Sequence, residues 1–220
     1  MNRTCACNFV RILKKPAHCC DFNPRQCNCS AYAWHELGLH YLRSMETTNQ
    51  VWWEGADRCA DNWMQMPRDS RTWVYLANRA LTAEEVELFV NGLEAFMATW
   101  EAHGKKLKAS WRLSGNRLLF IAVDESEAPA TGCSIDLSVA YLKGCTEMMH
   151  QPLDWFDRQN NLYALDGAWY QASNANFWAL RKSKRISDTT QLVNVVYQAP
   201  GSCWGEVVIP FSESWHAEMW

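Results

Sequence analysis

The sequence predicts an α+β fold, in which a mostly antiparallel sheet carries two helices on one face. Two observations lead to this prediction. One is the hydrophobic pattern of the segments after residue 66, and the other is the order in which these segments follow one another. Segments typical of strands and of amphipathic helices follow one another as strand–helix–strand–strand–helix–strand. That order is the ferredoxin-like split βαβ arrangement. The segments from Thr189 onward predict a C-terminal extension of this core.

The first strand and the first helix have the clearest signals. Residues 72–77 are rich in β-branched and aromatic side chains, as strands are. Thr82 is a favourable N-cap and Glu85 follows three residues later, which predicts a capping box. Apolar residues then recur at helical spacing as far as Trp100, and Gly104 predicts the end of the helix, with His103 in its last turn.

A hairpin and a second helix are predicted next. The alternating residues 107–113 and the continuously apolar residues 118–123 flank a Ser-Gly-Asn turn. We therefore expect two paired strands, the second of them buried on both faces. The second helix is predicted to begin near Ser134, and the fourth strand to lie within residues 161–170.

Residues 1–65 differ in character from residues 66–220. Most of the ten cysteines lie there, in Cys-x-Cys and Cys-Cys pairs without a sustained period. A zinc module that includes His18 is one interpretation, but structural zinc sites favour C-x₂₋₄-C spacing. A secreted, disulfide-linked module is another, but no signal sequence supports it. We predict a Cys-rich extension without a fold of its own, followed by one α+β domain that begins at Met66.

Composition narrows the classes of function. The chain has 220 residues, of which 48% are hydrophobic, and a formal net charge of −3. This charge is unfavourable for nucleic-acid binding, which needs clustered Lys and Arg. No apolar segment reaches the length of a membrane-spanning helix, and the N-terminus lacks a secretory signal. We expect a cytoplasmic protein that binds neither nucleic acid nor a membrane.

The sharpest functional signal lies between the second predicted strand of the hairpin and the second helix. The strand ends in two acids, and a thiol, two hydroxyls and a carboxylate follow at the helix start. Helix starts leave N–H groups unpaired and carry partial positive charge, so they attract anions and lower thiol pKa values. The predicted ligand-binding residues are Asp124, Glu125, Ser134, Asp136, Ser138, Arg117 and His216.

Cys133 defines the main alternative, a thiol-dependent enzyme in which this cysteine is the nucleophile. The candidates for an assisting group are Asp136, His103 and His216. The structural interpretation is a small residue that fills a tight gap beside Gly132, as free cysteines usually do.

Structural roles are equally open for the other candidates. Ser134 can cap the helix, and Asp136 can complement its dipole. Arg117 is either an exposed charge at a strand start or a bidentate clamp for an anion. The acids Asp124, Glu125 and Asp136 have oxygen ligands suited to Mg²⁺ or Ca²⁺, but they lack fixed spacing and a second His. We therefore predict no metal and no cofactor.

The thirteen tryptophans predict an aromatic surface. Five of those in the patterned region are more than a domain of this size is expected to bury. Exposed aromatic patches often mark protein interfaces. We expect a small molecule or a protein as the partner. The tryptophans concerned are Trp111, Trp155, Trp169, Trp178 and Trp204.

A series of short motifs runs in order through residues 66–220. The motifs are Trp73-Val74-Tyr75 with Asn78-Arg79, Trp100-Glu101-Ala102-His103-Gly104 with Leu107-Lys108-Ala109, Asn116-Arg117, Ala122-Val123-Asp124-Glu125, Gly132-Cys133-Ser134-Ile135-Asp136 with Ser138-Val139, Phe156-Asp157-Arg158, Val193-Asn194, and Pro210 with Ser214-Trp215-His216. By these motifs the region resembles a family of small bacterial proteins, found mainly in Bacteroidetes-type bacteria and often labelled "ABC transporter ATPase". Residues 1–65 have no counterpart in it. The resemblance implies a shared fold and brings no established activity.

The ATPase label itself conflicts with the residues. A P-loop needs a Gly-rich loop that ends in Lys-Ser or Lys-Thr to hold phosphates. Gly104-Lys105-Lys106 lacks both the upstream glycine and the hydroxyl residue. We therefore exclude ATP hydrolysis by a P-loop mechanism and expect an accessory domain, leaning towards a non-enzymatic one, that binds a small ligand or a protein partner.

Overall fold

The protein is described from a computed structural model. The structure describes residues 57–196 and 207–219, together with the backbone of residues 50–51. The helices are α1 (Ala83–Thr99), α2 (Gly132–Glu147), α3 (Asn174–Lys182) and α4 (Trp215–Glu218). The strands are β1 (Gln50–Val51), β2 (Arg58–Cys59), β3 (Arg71–Leu76), β4 (Glu101–Ala102), β5 (Lys105–Lys106), β6 (Lys108–Ser114), β7 (Leu118–Asp124), β8 (Asn160–Leu165), β9 (Ala168–Ser173), β10 (Gln191–Val193) and β11 (Val208–Pro210). Within these ranges, none of the helices combines the length and the apolar character that crossing a bilayer requires.

The longer strands form two antiparallel sheets. Sheet 1 has the order β2-β6-β7-β3, and sheet 2 has the order β1-β9-β8-β10-β11. In sheet 1, β7 pairs along its length with β3, from Arg71 opposite Val123 to Leu76 opposite Leu118, and with β6 on its other side. Strands β4 and β5 form a separate short hairpin.

Strand β7 is apolar throughout because both of its faces are covered. Leu119, Ile121 and Val123 pack with apolar residues of α1 and α2. Leu118 and Phe120 alternate with them and contact sheet 2 instead. The predicted central strand with two buried faces is therefore confirmed.

Sheet 2 is also covered on both faces. Leu162 and Trp169 belong to the cluster that joins it to sheet 1. Tyr163, on the opposite face of β8, packs with Phe177 of α3 and with Phe211 near the C-terminus. The elements thus form four layers in the order helices, sheet 1, sheet 2, helices.

Helix α1 starts as the sequence predicts. Thr82 Oγ1 accepts a hydrogen bond from the Glu85 N–H at 3.2 Å, and Glu85 Oε2 accepts one from the Thr82 N–H at 2.9 Å. The helix ends at Thr99, earlier than predicted. His103 is not in its last turn, because residues 101–106 form the β4–β5 hairpin, where His103 and Gly104 have positive φ angles of 51° and 73°.

The α+β class and the two helices on one face of an antiparallel sheet are confirmed, but the ferredoxin-like order is not. Strand β8 pairs with β9 and β10 in sheet 2, whereas that order requires it to join β3 and β7. Strands β10 and β11 complete sheet 2, so they are part of the fold and not an extension of it. Sequence periodicity shows which face of a strand is buried, but it does not show which strand lies beside it.

The predicted domain boundary at Met66 is also corrected. Strands β1 and β2 precede that residue and pair with β9 and β6. The ring of Trp63 packs 6.1 Å from that of Phe120, between the sheets. Strands of two residues have no detectable period, so they cannot be recognised from the sequence. The paired cysteines up to Cys29 lie outside the described residues, and the prediction for them stays a prediction.

The predicted aromatic surface is wrong for the tryptophans that the structure describes in full. Trp111, Trp155 and Trp169 are buried, and Trp178 is partly buried. Trp204 lies outside the described residues. Within the described ranges, three separate apolar clusters fill the spaces between the layers, so the interior holds more aromatic rings than a single core would. Among the described side chains, the large apolar ones that are exposed are Met64, Leu88, Leu137, Met148, Val196 and Met219.

Candidate functional site

The strand–loop–helix form predicted after β7 is present, but its two acids are bonded within the loop. Asp124 Oδ1 accepts a hydrogen bond from the Ser126 N–H at 2.9 Å. Glu125 Oε1 accepts one from the Ala130 N–H, also at 2.9 Å. Hydrogen bonds from Ser126 and the charge of Lys108 hold the pKa of Asp124 below its ordinary value, so this carboxylate is ionised at neutral pH.

The start of α2 uses a different cap from the predicted one. Thr131 is the N-cap, and Ser134 is the third residue of the helix. Ser134 Oγ accepts a hydrogen bond from the Thr131 N–H at 2.8 Å and donates one to the Thr131 carbonyl at 2.9 Å. The buried Ser134 hydroxyl is therefore part of a capping box and is not presented to a ligand.

The remaining predicted residues of α2 lie on two different faces. Ser138 is buried and donates to the Ile135 carbonyl at 2.7 Å. Cys133 and Asp136 are exposed to solvent. Residues four apart share a helix face, so α2 directs Ser134 and Ser138 towards the core, while the thiol and the carboxylate point outwards.

Two predicted residues lie far from this corner. Arg117 directly precedes β7 and Asp124 ends it, so about 23 Å of extended chain separates them. His216 lies on the far side of sheet 2, where its Nε2 is 2.6 Å from Asn161 Oδ1 and its ring stacks on Trp215. The structure therefore does not bring Arg117 and His216 together with Asp124.

A cleft of about 630 Å³ opens at the Asp124 end of sheet 1. It lies between the C-terminal half of α1, the first residues of β6 and the segment 60–67. The buried side chains of Met97, Leu107 and Trp111 form its apolar floor. Asp124 lines the cleft, whereas Cys133 does not. The thiol and this acid thus do not share one hollow.

Charged groups line the rim of the cleft. They are the carboxylates of Glu94, Asp124 and Glu127 and the ammonium groups of Lys106 and Lys108. Lys108 Nζ lies 2.5 Å from Glu127 Oε1, which raises the pKa of the lysine. In the part of the chain that the structure describes, Glu94 and Lys106 have no ion-pair partner. Three carboxylates against two ammonium groups leave the rim with one excess negative charge.

Sequence reasoning missed a second polar cluster, on β6. The alternation of residues 107–113 places Ala109, Trp111 and Leu113 on one face of the strand, and none of the predicted site residues lies on the other face. That face is buried against sheet 2 and carries Ser110, Arg112 and Ser114. A strand covered on both sides with one polar face has the same alternation as a half-exposed strand, so no signal in the sequence distinguished the two.

No protein-family model matches the chain, and no curated protein or solved structure matches it either. The resemblance to the family labelled "ABC transporter ATPase" stays a prediction that rests on the motifs alone. In residues 57–196 and 207–219, no cluster of three or more His, Cys, Asp or Glu side chains is placed to hold a metal ion. Function is therefore inferred from the geometry of the two polar regions.

Proposed function

We propose that the protein binds a small amphipathic molecule with a cationic head group in the cleft at the Asp124 end of sheet 1. The observation that carries this proposal is the combination, in one cleft of about 630 Å³, of a buried apolar floor and a rim with excess negative charge. Small-molecule sites are typically clefts of this size with apolar walls and a few polar groups.

The floor suits an alkyl or aryl body. Met97, Leu107 and Trp111, together with Met66 and Pro67, line the cleft with carbon and sulfur atoms. Each Å² of apolar ligand surface that leaves water here contributes about 25 cal/mol to binding. The flexible thioether of Met97 also adapts to ligands of different shape.

The rim suits a positive charge. Lys108 is already neutralised by Glu127, so it does not repel a cation strongly. Asp124 and Glu94 remain as negative charges on two sides of the cleft, one from β7 and one from α1, against the single ammonium group of Lys106. Attraction between exposed charges is modest, so we expect it to select among ligands rather than to supply most of the affinity.

Three probes with one tail and different head groups test this proposal. n-Hexylamine, n-hexanol and n-hexanoate are titrated into the ¹⁵N-labelled full chain, and amide shifts are followed by NMR. We expect shifts at Met97, Leu107 and Trp111, with the tightest binding for the amine and the weakest for the carboxylate. Binding of hexanoate as tight as that of hexylamine, or no shift around the cleft, contradicts the proposal.

Matched variants locate the charge selection. Asp124→Asn and Glu127→Gln each remove one carboxylate from the rim, and we expect each to weaken hexylamine binding about threefold. Asp136→Asn is the control, because Asp136 is an exposed acid outside the cleft. An equal loss in the control variant would show that net charge, and not the cleft, determines binding.

The other functions considered have less support. Among the residues that the structure describes, no hydrogen bond joins the exposed Cys133 to a base that could activate it. Docking of a protein on an aromatic surface is not favoured, because Trp111, Trp155 and Trp169 are buried.

A further inference from the structure

The β6–β7 hairpin places buried donors without partners between the two sheets. Arg112 is 7% exposed and Ser114 is 2% exposed, and both lie on the β6 face that is turned towards sheet 2. Considering only the described residues, Arg112 Nε and Ser114 Oγ have no hydrogen-bond partner. An unpaired buried donor is unfavourable for the folded state, so such atoms mark a position where an acceptor would be stabilised.

Arg117 adds a third donor of this kind. Its backbone N–H donates to the Ser114 carbonyl at 3.2 Å, and its guanidinium donates to Gln171 Oε1 of β9. Arg117 Nε is buried and unpaired. No carboxylate of the described chain pairs with this guanidinium, and burial lowers the pKa of Arg117 to about 10.

Arg79, near the same end of sheet 1, shows the contrasting case. Its guanidinium donates to both carboxylate oxygens of Glu85, at 2.7 and 2.8 Å. It also donates to three backbone carbonyl oxygens, so all five of its N–H groups are used. The unpaired Nε–H of Arg117 is therefore not shared by every partly buried arginine of this fold.

The balance of charge indicates which acceptor fits. Asp57 pairs with Arg112 at 2.5 Å, whereas Arg117 has no carboxylate partner in the described chain, so the two guanidinium groups carry one excess positive charge. Guanidinium N–H groups match the geometry of carboxylate oxygens. We propose that the basic seam, formed by Arg112, Ser114 and Arg117, binds a small carboxylate of single negative charge.

Arg112 and Ser114 share one face of β6 near the turn of the hairpin, and the Arg117 guanidinium reaches β9 on that same side. The three donors that we assign to the carboxylate are thus the two free Nε–H groups and the Ser114 hydroxyl, all between the sheets at the turn end of the hairpin. Arg117 is only partly buried, so the ligand enters beside it. The length of β7 separates the basic seam from the cleft at Asp124. The two sites therefore take ligands of opposite charge, and the basic seam does not depend on the proposed function of the cleft.

Arginine Nε–H signals report directly on this site. The ¹⁵N-labelled full chain is titrated with sodium acetate at constant ionic strength, with NaCl making up the balance. The signal of Arg117 is identified by its loss in Arg117→Gln. We expect saturable shifts of the Arg117 and Arg112 signals and none of the Arg79 signal. Unchanged Nε–H signals, or equal shifts of all arginines, overturn the proposal.

Thermal unfolding supplies a second readout. Acetate should raise the Tm of the natural sequence by roughly 4 °C for each tenfold increase above its Kd. Arg117→Gln should lose this rise, and Arg68→Gln, which removes the same charge from an exposed position, should keep it. The same rise in Arg117→Gln, or a rise with inorganic phosphate and none with acetate, overturns the carboxylate site.

Discussion

The two ends of β7 differ in whether their polar groups find hydrogen-bond partners inside the protein. At the Asp124 end the acids are partly exposed and accept hydrogen bonds from their own loop. At the Arg117 end the donors are buried and several lack an acceptor. The types of residue indicated a site at the acidic end. One buried atom without a partner, Ser70 Oγ, lies there, whereas Arg112 Nε, Ser114 Oγ and Arg117 Nε lie towards the basic end. Burial, which a single sequence shows poorly, decides which polar groups have binding capacity left.

The largest effect in this comparison is expected from Glu85→Gln. This change keeps an acceptor for the capping box but leaves Arg79 without its carboxylate, as Arg117 already is. We expect a loss of about 2 to 3 kcal/mol in the free energy of unfolding, measured with urea at pH 7. The exposed acid Glu87, which pairs with Arg58, provides the control: Glu87→Gln should change stability little.

The acid Glu85 also predicts a pH dependence. Its hydrogen bonds with Arg79 lower the pKa of Glu85 from 4.5 to about 2. The stabilisation is complete above pH 4.5 and is lost as the pH falls from 4.5 towards 2, because the unfolded state binds the proton first. The free energy of unfolding is measured against pH for the natural sequence and for Glu85→Gln. If the two curves run parallel between pH 4.5 and 2, the ion pair between Arg79 and Glu85 does not have the proposed effect.

His216 extends the comparison to sheet 2, because its Nδ1 is also buried and, in the described chain, unpaired. Burial among aromatic rings lowers the pKa of His216 from 6.5 to about 4, so the folded protein holds it neutral. The unfolded state binds the proton first as the pH falls from 6.5 to 4, and stability should decrease by about 2 kcal/mol. Thermal unfolding between pH 7 and 4.5 measures this decrease.

His216→Phe is the matched variant for that measurement. The phenyl ring keeps the aromatic packing against Phe177 and Trp215 but does not titrate. We expect its Tm to decline less than that of the natural sequence between pH 6.5 and 4.5. If Tm declines equally in the variant and in the natural sequence, groups other than His216 cause the pH dependence.

A smaller effect tests the helical layer that bounds the cleft. A Cβ atom at Gly92 of α1 would lie 2.8 Å from the Tyr141 hydroxyl oxygen of α2, so the Tyr141 ring, which stacks on Phe96, would have to shift. We expect Gly92→Ala to destabilise the protein by about 1 kcal/mol in spite of the better helix propensity of alanine. At Gly144 of α2 the space is open, and Gly144→Ala should stabilise by about 0.5 to 1 kcal/mol. The same sign for both variants would show that α1 and α2 do not pack as described.

The smallest effect is expected at the acidic end itself. In Asp124→Asn the amide oxygen still accepts the hydrogen bond from the Ser126 N–H, so the loop keeps its form. We expect a change in Tm below about 2 °C by calorimetry. A large loss of stability would mean that Asp124 has a structural role comparable to that of Glu85, and the contrast between the ends of β7 would be weaker.

Local features of the fold could be predicted from the sequence because neighbouring residues determine them. The Thr82–Glu85 capping box and the two-sided burial of β7 are of this kind. The placement of β8 in a second sheet was not predictable, since it depends on contacts between distant segments. Arg112 was missed for the same reason: it is buried only because sheet 2 covers β6. The start of α2 was misplaced because Thr131 and Ser134 are both good caps and lie one turn apart.

A single NMR experiment tests most directly the claim that the two ends of β7 bind ligands of opposite charge. One ¹⁵N-labelled sample is titrated first with n-hexylamine and, after its removal, with acetate, at constant pH and ionic strength. The account predicts that the amine shifts signals around Met97 and Trp111 only, and that acetate shifts the Nε–H signals of Arg112 and Arg117 only. If both probes shift the same residues, or if neither probe causes a saturable change, the claim is contradicted.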